Sequence, residues 1–172
     1  IAATNWGLNW RRKPTSANPN RIYYGDMDGD GVTESIEAVH RQGRWQPERR
    51  FGILRAAIPI ISERMTSFEQ VGRSSVQQVF GDLLESASVR EVVEFRSMIF
   101  LNLESGMSAT PMPAEAQWAP GFGVVAEDFD GDQRLDLFVA QNFFATNPEY
   151  SRCDAGRGLL MLGDGRGGFL PM

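Results

Sequence analysis

Two kinds of hydrophobic spacing alternate along the chain. From Val92 onward the period is two: Val93, Phe95, Ser97, Ile99 and Leu101 share one face, and Val92, Glu94, Arg96, Met98 and Phe100 the other. Gly123 to Ala126, Leu137 to Ala140 and Leu159 to Leu162 read as further strands, and Asp164-Gly165-Arg166-Gly167-Gly168 is a hairpin signal. Arg21-Ile22-Tyr23-Tyr24-Gly25 also reads as a strand, and Ser35-Ile36-Glu37-Ala38-Val39 alternates ahead of His40. Between Arg49 and Ala87 the period becomes helical. Phe51 to Ala57 predicts a short helix, and Pro59 can open another because its ring suits a first helical turn. Thr66-Ser67-Phe68-Glu69 fits a capping box, and Ser74 or Ser75 can cap Val76 to Phe80, which Gly81 ends. The expectation is a mainly β fold with three or four short helices inserted. Their apolar faces should pack on one another and on an edge or face of a sheet.

The strands carry internal repeats. Asp26-Met27-Asp28-Gly29-Asp30-Gly31-Val32-Thr33-Glu34 and Asp128-Phe129-Asp130-Gly131-Asp132-Gln133-Arg134-Leu135-Asp136 both place acids at positions 1, 3, 5 and 9. Leu137-Phe138-Val139-Ala140-Gln141-Asn142-Phe143 follows the second loop, and the opening Ile1-Ala2-Ala3-Thr4-Asn5-Trp6 resembles that tail without its loop. A third copy is therefore expected upstream, and the chain reads as a piece of something longer. A second repeat relates Ser97-Met98-Ile99-Phe100-Leu101-Asn102 to Gly158-Leu159-Leu160-Met161-Leu162-Gly163; each precedes a Gly-containing turn and then Pro-Met. A period of roughly 60 residues, made of short strands and turns, is the scale of a four-stranded propeller blade. The acidic loops lie farther apart than one period, as an insertion between them requires.

Composition gives those loops a chemistry. The chain has 172 residues, with 17 Lys and Arg against 22 Asp and Glu, a formal net charge of −5. Eight of the acids sit in the two loops. Carboxylates at positions 1, 3 and 5 crowd negative charge into five residues, an arrangement that is costly without a cation. If the loop wraps, Asp26, Asp28, Asp30 and Glu34, or Asp128, Asp130, Asp132 and Asp136, turn toward one point. A main-chain carbonyl of Val32 or Arg134 can complete an oxygen shell. Calcium accepts six to eight oxygens at flexible geometry, whereas magnesium prefers a rigid octahedron, so two Ca²⁺ sites are expected. An EF-hand is excluded by context. The first loop offers Glu37 at the twelfth position but the second offers Val139, and Pro14 and Pro19 forbid a regular helix before the first loop.

Several other classes fall away. An acidic chain has no general pull toward phosphate backbones, so nucleic-acid binding is not expected. No apolar run approaches the roughly 18 residues that span a bilayer, so membrane insertion is not expected either. Cys153 and His40 are the only residues of their kinds, which removes cysteine-rich zinc sites; they read as a loop cysteine and a strand-end histidine. Trp6, Trp10, Trp45 and Trp118 could form a sugar platform but read better as packing residues. Arg11-Arg12-Lys13 and Arg49-Arg50 read as solvated basic runs. The glycine-rich segments 154–158 and 163–165 lack the Lys-Ser/Thr of a phosphate loop.

The nine-residue acidic loop flanked by strands resembles the FG-GAP or VCBS repeat of integrin-alpha-type β-propellers. The resemblance rests on Val124 to Val139, on Tyr23 to Gly31 and on the glycine-rich hairpin ending at Phe169. Asn5-Trp6-Gly7-Leu8-Asn9, the helical insertion and Asn142-Phe143-Phe144 are similar to bacterial secreted proteins related to the cartilage acidic protein group. This implies a partial β-propeller of about two to three blades: residues 1–48 with the first loop, a helical insertion at 49–88, and residues 89–172 with the second loop. It also implies a non-catalytic calcium-binding module that engages a protein or carbohydrate at the cell surface, outside the cell or in the periplasm. Remaining blades of a parent chain, or other copies, would complete it. The alternatives are a carbohydrate-active hydrolase and a purely structural segment of a larger secreted enzyme. Two departures from the family pattern stand out. Glu34 replaces the ninth-position aspartate, and Gln133 takes the sixth position where glycine is usual. A left-handed backbone there would cost a side chain about 1 kcal/mol, so unequal affinities are expected.

Overall fold

A computed structural model describes residues 1–146 and 149–172. In chain order its strands are β1 (Ala2–Ala3), β2 (Asn20–Gly25), β3 (Glu34–Arg41), β4 (Arg44–Pro47), β5 (Ser88–Val92), β6 (Met98–Leu103), β7 (Gly106–Pro111), β8 (Gly121–Glu127), β9 (Asp136–Gln141), β10 (Leu159–Gly163) and β11 (Phe169–Pro171). Four short helices, α1 (Phe51–Ala57), α2 (Ile61–Arg64), α3 (Phe68–Arg73) and α4 (Val76–Phe80), lie between β4 and β5. The fold is mainly β and forms two compact units, Pro14–Glu94 and Ile1–Lys13 with Phe95–Met172.

The unit Pro14–Glu94 is an antiparallel sheet of order β4-β3-β2-β5 with the helices against one face. The period-two pattern of β3 explains its orientation. Ile36 and Ala38 are buried among Phe51, Leu54, Ile58, Ile61, Val76, Val79 and Phe80, while Ser35 faces solvent. Gln42 and Gly43 join β3 to β4 with φ of 51° and 78°, the left-handed pair that matches the twist of a tight hairpin.

The helix signals hold with two shifts. Ser75 caps α4 with a complete box: its hydroxyl accepts from the Gln78 N–H (3.2 Å), and Gln78 Oε1 accepts from the Ser75 N–H (2.8 Å). Gly81 ends that helix at φ 57° and leads into a 3-10 turn, Gly81–Ser86, which the spacing did not predict. The cap of α3 is Ser67 rather than Thr66. Ser67 Oγ accepts from the Gln70 N–H, and Gln70 Oε1, in place of Glu69, reaches back to the Thr66 N–H. Starting at Phe68 turns Val71 into the core and leaves Glu69 to pair with Arg73 on the surface. Pro59 precedes α2 by a turn, its carbonyl accepting from Ser62.

The second unit holds two antiparallel sheets, β1-β6-β7 and β11-β10-β9-β8. The sequence repeat appears in their topology. The β6–β7 and β10–β11 hairpins correspond, and β1 pairs with β6 as β9 pairs with β10. Ile99, Met112, Ala116, Leu137, Val139, Leu159 and Met161 form the core of this unit.

The run expected as one strand from Val92 to Leu101 is broken between β5 and β6. The cause is a polar clamp. Ser97 is fully buried; its N–H donates to Gln117 Oε1 (2.9 Å), and Gln117 Nε2 donates to the carbonyls of Ser97 (3.0 Å) and Met112 (3.1 Å). Phe95 O accepts from the Gly7 N–H, and the Ser97 hydroxyl accepts from the Asn5 N–H. These segments spend their backbone bonds on the clamp, not on a ladder. Replacing Gln117 with Leu orphans buried backbone groups and is expected to lower stability in chemical denaturation by about 3 kcal/mol; an unchanged denaturation midpoint would show that the clamp is dispensable.

Candidate metal centres

Each acidic loop joins two adjacent antiparallel strands. Gly25 pairs with Glu34 across β2 and β3, and Glu127 pairs with Asp136 across β8 and β9, so each loop starts and ends side by side. A nine-residue segment between such close ends must fold back on itself, and its own carboxylates organise the reversal.

The position-one carboxylate accepts from the loop's amides. Asp26 takes the N–H groups of Gly29 (2.8 Å) and Gly31 (3.0 Å). Asp128 takes those of Gly131 (2.8 Å), Asp132 (3.1 Å) and Gln133 (2.9 Å). The position-nine carboxylate closes the loop from the other side. Glu34 Oε2 accepts from the Met27 N–H (2.8 Å), and Asp136 Oδ2 accepts from the Phe129 N–H (2.9 Å). Both position-nine acids are buried. Positive φ occurs at positions four and six, at Gly29 and Gly31 in one loop and at Gly131 and Gln133 in the other. The left-handed conformation anticipated at Gln133 is thus present, with φ 69°.

This wrapping gathers positions one, three and nine. Oxygens of Asp26, Asp28 and Glu34 lie within 4.8 Å of one another, as do oxygens of Asp128, Asp130 and Asp136. Either triad could hold a metal ion. Asp28 Oδ1 is enclosed without a hydrogen-bond partner among the described residues, the condition of an oxygen available to a cation.

Position five lies outside both triads. Asp30 Oδ1 accepts from the Val32 N–H (2.8 Å), and Asp132 Oδ1 accepts from the Arg134 N–H (2.8 Å) while its second oxygen pairs with Arg134 Nε (2.8 Å). Val32 and Arg134 were expected to offer carbonyls rather than side chains. The Val32 side chain is exposed, and that of Arg134 neutralises Asp132.

Asp136 has one partner with no counterpart at Glu34. Its Oδ1 accepts from the Gly163 N–H at the end of β10 (2.8 Å). That bond holds the Asp136 carboxyl below the usual carboxylate range, with burial opposing it and the Phe129 N–H reinforcing it. The sequence marks Gly163 only as part of a repeat and of a glycine-rich segment, not as a partner of Asp136. A Cβ there would lie 2.0 Å from the Leu135 carbonyl oxygen, so only glycine admits this approach. The available signal was a difference between the repeats, Asn102 in one hairpin and Gly163 in the other.

Three of the four tryptophans make ring contacts. Trp6 packs against Trp10 and edge-on to Phe143, and Trp10 packs on Tyr150. Trp45 lies between Arg21 and His40. Trp118 is half exposed. Burial pushes the Cys153 thiol up, away from the thiolate a nucleophile needs. No family model matches the chain, and no curated protein or solved structure matches it either.

Gln133→Gly removes a side chain from a left-handed position and is expected to raise stability by about 1 kcal/mol in denaturant melts. Because the folded pKa of Asp136 lies below its unfolded value, its contribution to stability is complete above the ordinary carboxylate value of 3.8 and is lost as pH falls through the folded value. Melting temperature is therefore expected to fall on acidification, and Asp136→Asn to flatten that dependence in metal-free buffer.

Proposed function

We propose that the chain is a calcium-binding module of the FG-GAP/VCBS type, built from part of a β-propeller, in which each acidic loop holds one Ca²⁺. The observation that carries this reading is the duplicated triad. Two loops of different sequence, each in its own compact unit, gather the same positions and bury the same ninth-position acid over the second-position N–H. The donors are all oxygen, with no imidazole or thiolate, which suits a hard cation; a loop of flexible main chain suits calcium better than the rigid octahedron of magnesium.

The ion's task is mechanical. It cancels the repulsion among three carboxylates and locks the turn between two strands, which holds the sheet edges for a binding surface. The acids are poor catalysts in this arrangement, because a hydrolytic pair stands across a substrate cleft and these converge within one loop. The module then serves protein or carbohydrate binding in adhesion at the cell surface, outside the cell or in the periplasm, where calcium is plentiful enough to fill weak sites. Further blades from a parent chain or other copies would complete the propeller.

Calorimetric titration with Ca²⁺ is expected to show two binding events of unequal affinity. At about a hundredfold excess over Kd each site adds about 2.7 kcal/mol to stability, so chelator is expected to lower the melting temperature. Asp128→Ala should abolish one event and spare the other. Absence of binding, or a melt indifferent to chelator, would overturn the proposal.

A further inference from the structure

The β3–β4 hairpin concentrates positive charge at the end of β3 remote from its acidic loop. Arg41 and Arg44 stand directly opposite each other in the ladder. Residues so paired share a face with Cβ atoms about 5 Å apart, and like charges in that position repel. The tight Gln42-Gly43 turn fixes this register, so the pair cannot slide apart. α3 adds Arg73. With Gln42, Gln46 and Gly72, the three arginines line an open cleft of about 680 Å³ that has no acidic lining residue among those described.

The carboxylates nearby leave one arginine unserved. Glu48, its side chain 5% exposed, accepts from Arg41 (3.0 Å), and Glu69 pairs with Arg73 on the solvent face of α3. Arg44 Nε is enclosed and has no hydrogen-bond partner among the described residues. Its Nε is covered from solvent, so what Arg44 offers the cleft it lines is the outer part of its guanidinium, a group that favours an oxyanion. The Arg73–Glu69 pair is highly exposed and therefore weak, so Arg73 can swing to a ligand at little cost. A smaller hollow shares Arg41, Gln46 and Gly72 and is lined also by Glu48, Arg49, Arg50 and the edge-to-face rings of Phe51 and Phe68.

We propose that this cleft binds a tetrahedral oxyanion, sulfate or phosphate, either free or as the ester group of a small organic molecule or oligosaccharide. Arg44, which has no carboxylate partner among the described residues, is its main donor, Arg41 supplies the opposing charge and Arg73 closes over it. The acidic balance of the whole chain, −5, disfavours a long polyanion such as nucleic acid while leaving a local anion site intact. The site is separate from the calcium loop, which lies about 23 Å away along β3.

The test follows the arginine Nε–Hε resonances by NMR while inorganic sulfate, a sulfated disaccharide and a short DNA oligonucleotide are each added to the whole chain, with chloride holding ionic strength constant. A saturable shift of the Arg44 Nε–Hε signal with sulfate or the disaccharide is expected. Equal affinities would identify the free anion as sufficient; tighter binding of the disaccharide by at least about tenfold would identify an ester. Arg44→Gln, followed by the resonances of Arg41 and Arg73, is expected to weaken binding by at least about tenfold, as loss of a charged donor to an oxyanion warrants. Arg73→Gln, a change on an exposed helix face, is expected to weaken binding without disturbing the fold and keeps the test decisive if Arg44→Gln does not fold. Shifts that rise without saturation, binding that survives Arg73→Gln, or binding confined to the oligonucleotide would overturn the proposal.

Discussion

A single hydrogen bond organises each acidic loop: a buried carboxylate at the ninth position accepts the N–H of the second residue, at 2.8 Å from Met27 to Glu34 and 2.9 Å from Phe129 to Asp136. It ties the start of the loop to the first residue of the following strand. The first-position carboxylate can then gather the intervening amides, and the third-position acid is brought against the other two. Without that bond the chain between the paired strands would be a loose excursion. With it, three negative groups are brought together, and the same geometry that orders the backbone makes a place that could hold a cation.

The two loops meet this constraint differently. Glu34 has the longer side chain and accepts from Met27 alone among the bonds described above, whereas the shorter Asp136 is held from a second direction by Gly163 on the neighbouring strand. One loop is a local device between two strands. The other is fastened to a third strand of its sheet, at a spot where the Leu135 carbonyl leaves room for no side chain. Rigid anchorage of one carboxylate and freer reach of the other give the two loops different stiffness, which would govern how closely an oxygen shell could adapt to an ion.

The helices and the hairpin beside them follow a separate logic. α1 to α4 are each too short to be stable alone, and their order comes from Leu54, Ile58, Ile61, Val79 and Phe80 burying themselves on Ile36 and Ala38. That packing sets α3 beside β4 and so places Arg73 near Arg41 and Arg44. In a chain with a surplus of acids, a local surplus of arginine is a product of this packing and is invisible to any count of charge.

Much of this was legible in the sequence because it is local. The 1, 3, 5, 9 spacing of acids, the caps at Ser75 and Gly81, the alternation in β3 and the left-handed demand at Gln133 each involve residues within one turn or strand, where sterics and hydrogen-bond reach leave few choices. The one-residue shift from Thr66 to Ser67 arose because neighbouring hydroxyls are locally equivalent, and only burial of Val71 separates them. What tertiary structure alone decided was every arrangement made by distant segments. Gln117 breaks the strand around Ser97, and Gly163 reaches Asp136 from another hairpin. The physical reason is the same in each case: a buried polar group must find a partner, and which partner is within 3 Å is known only once the chain has folded.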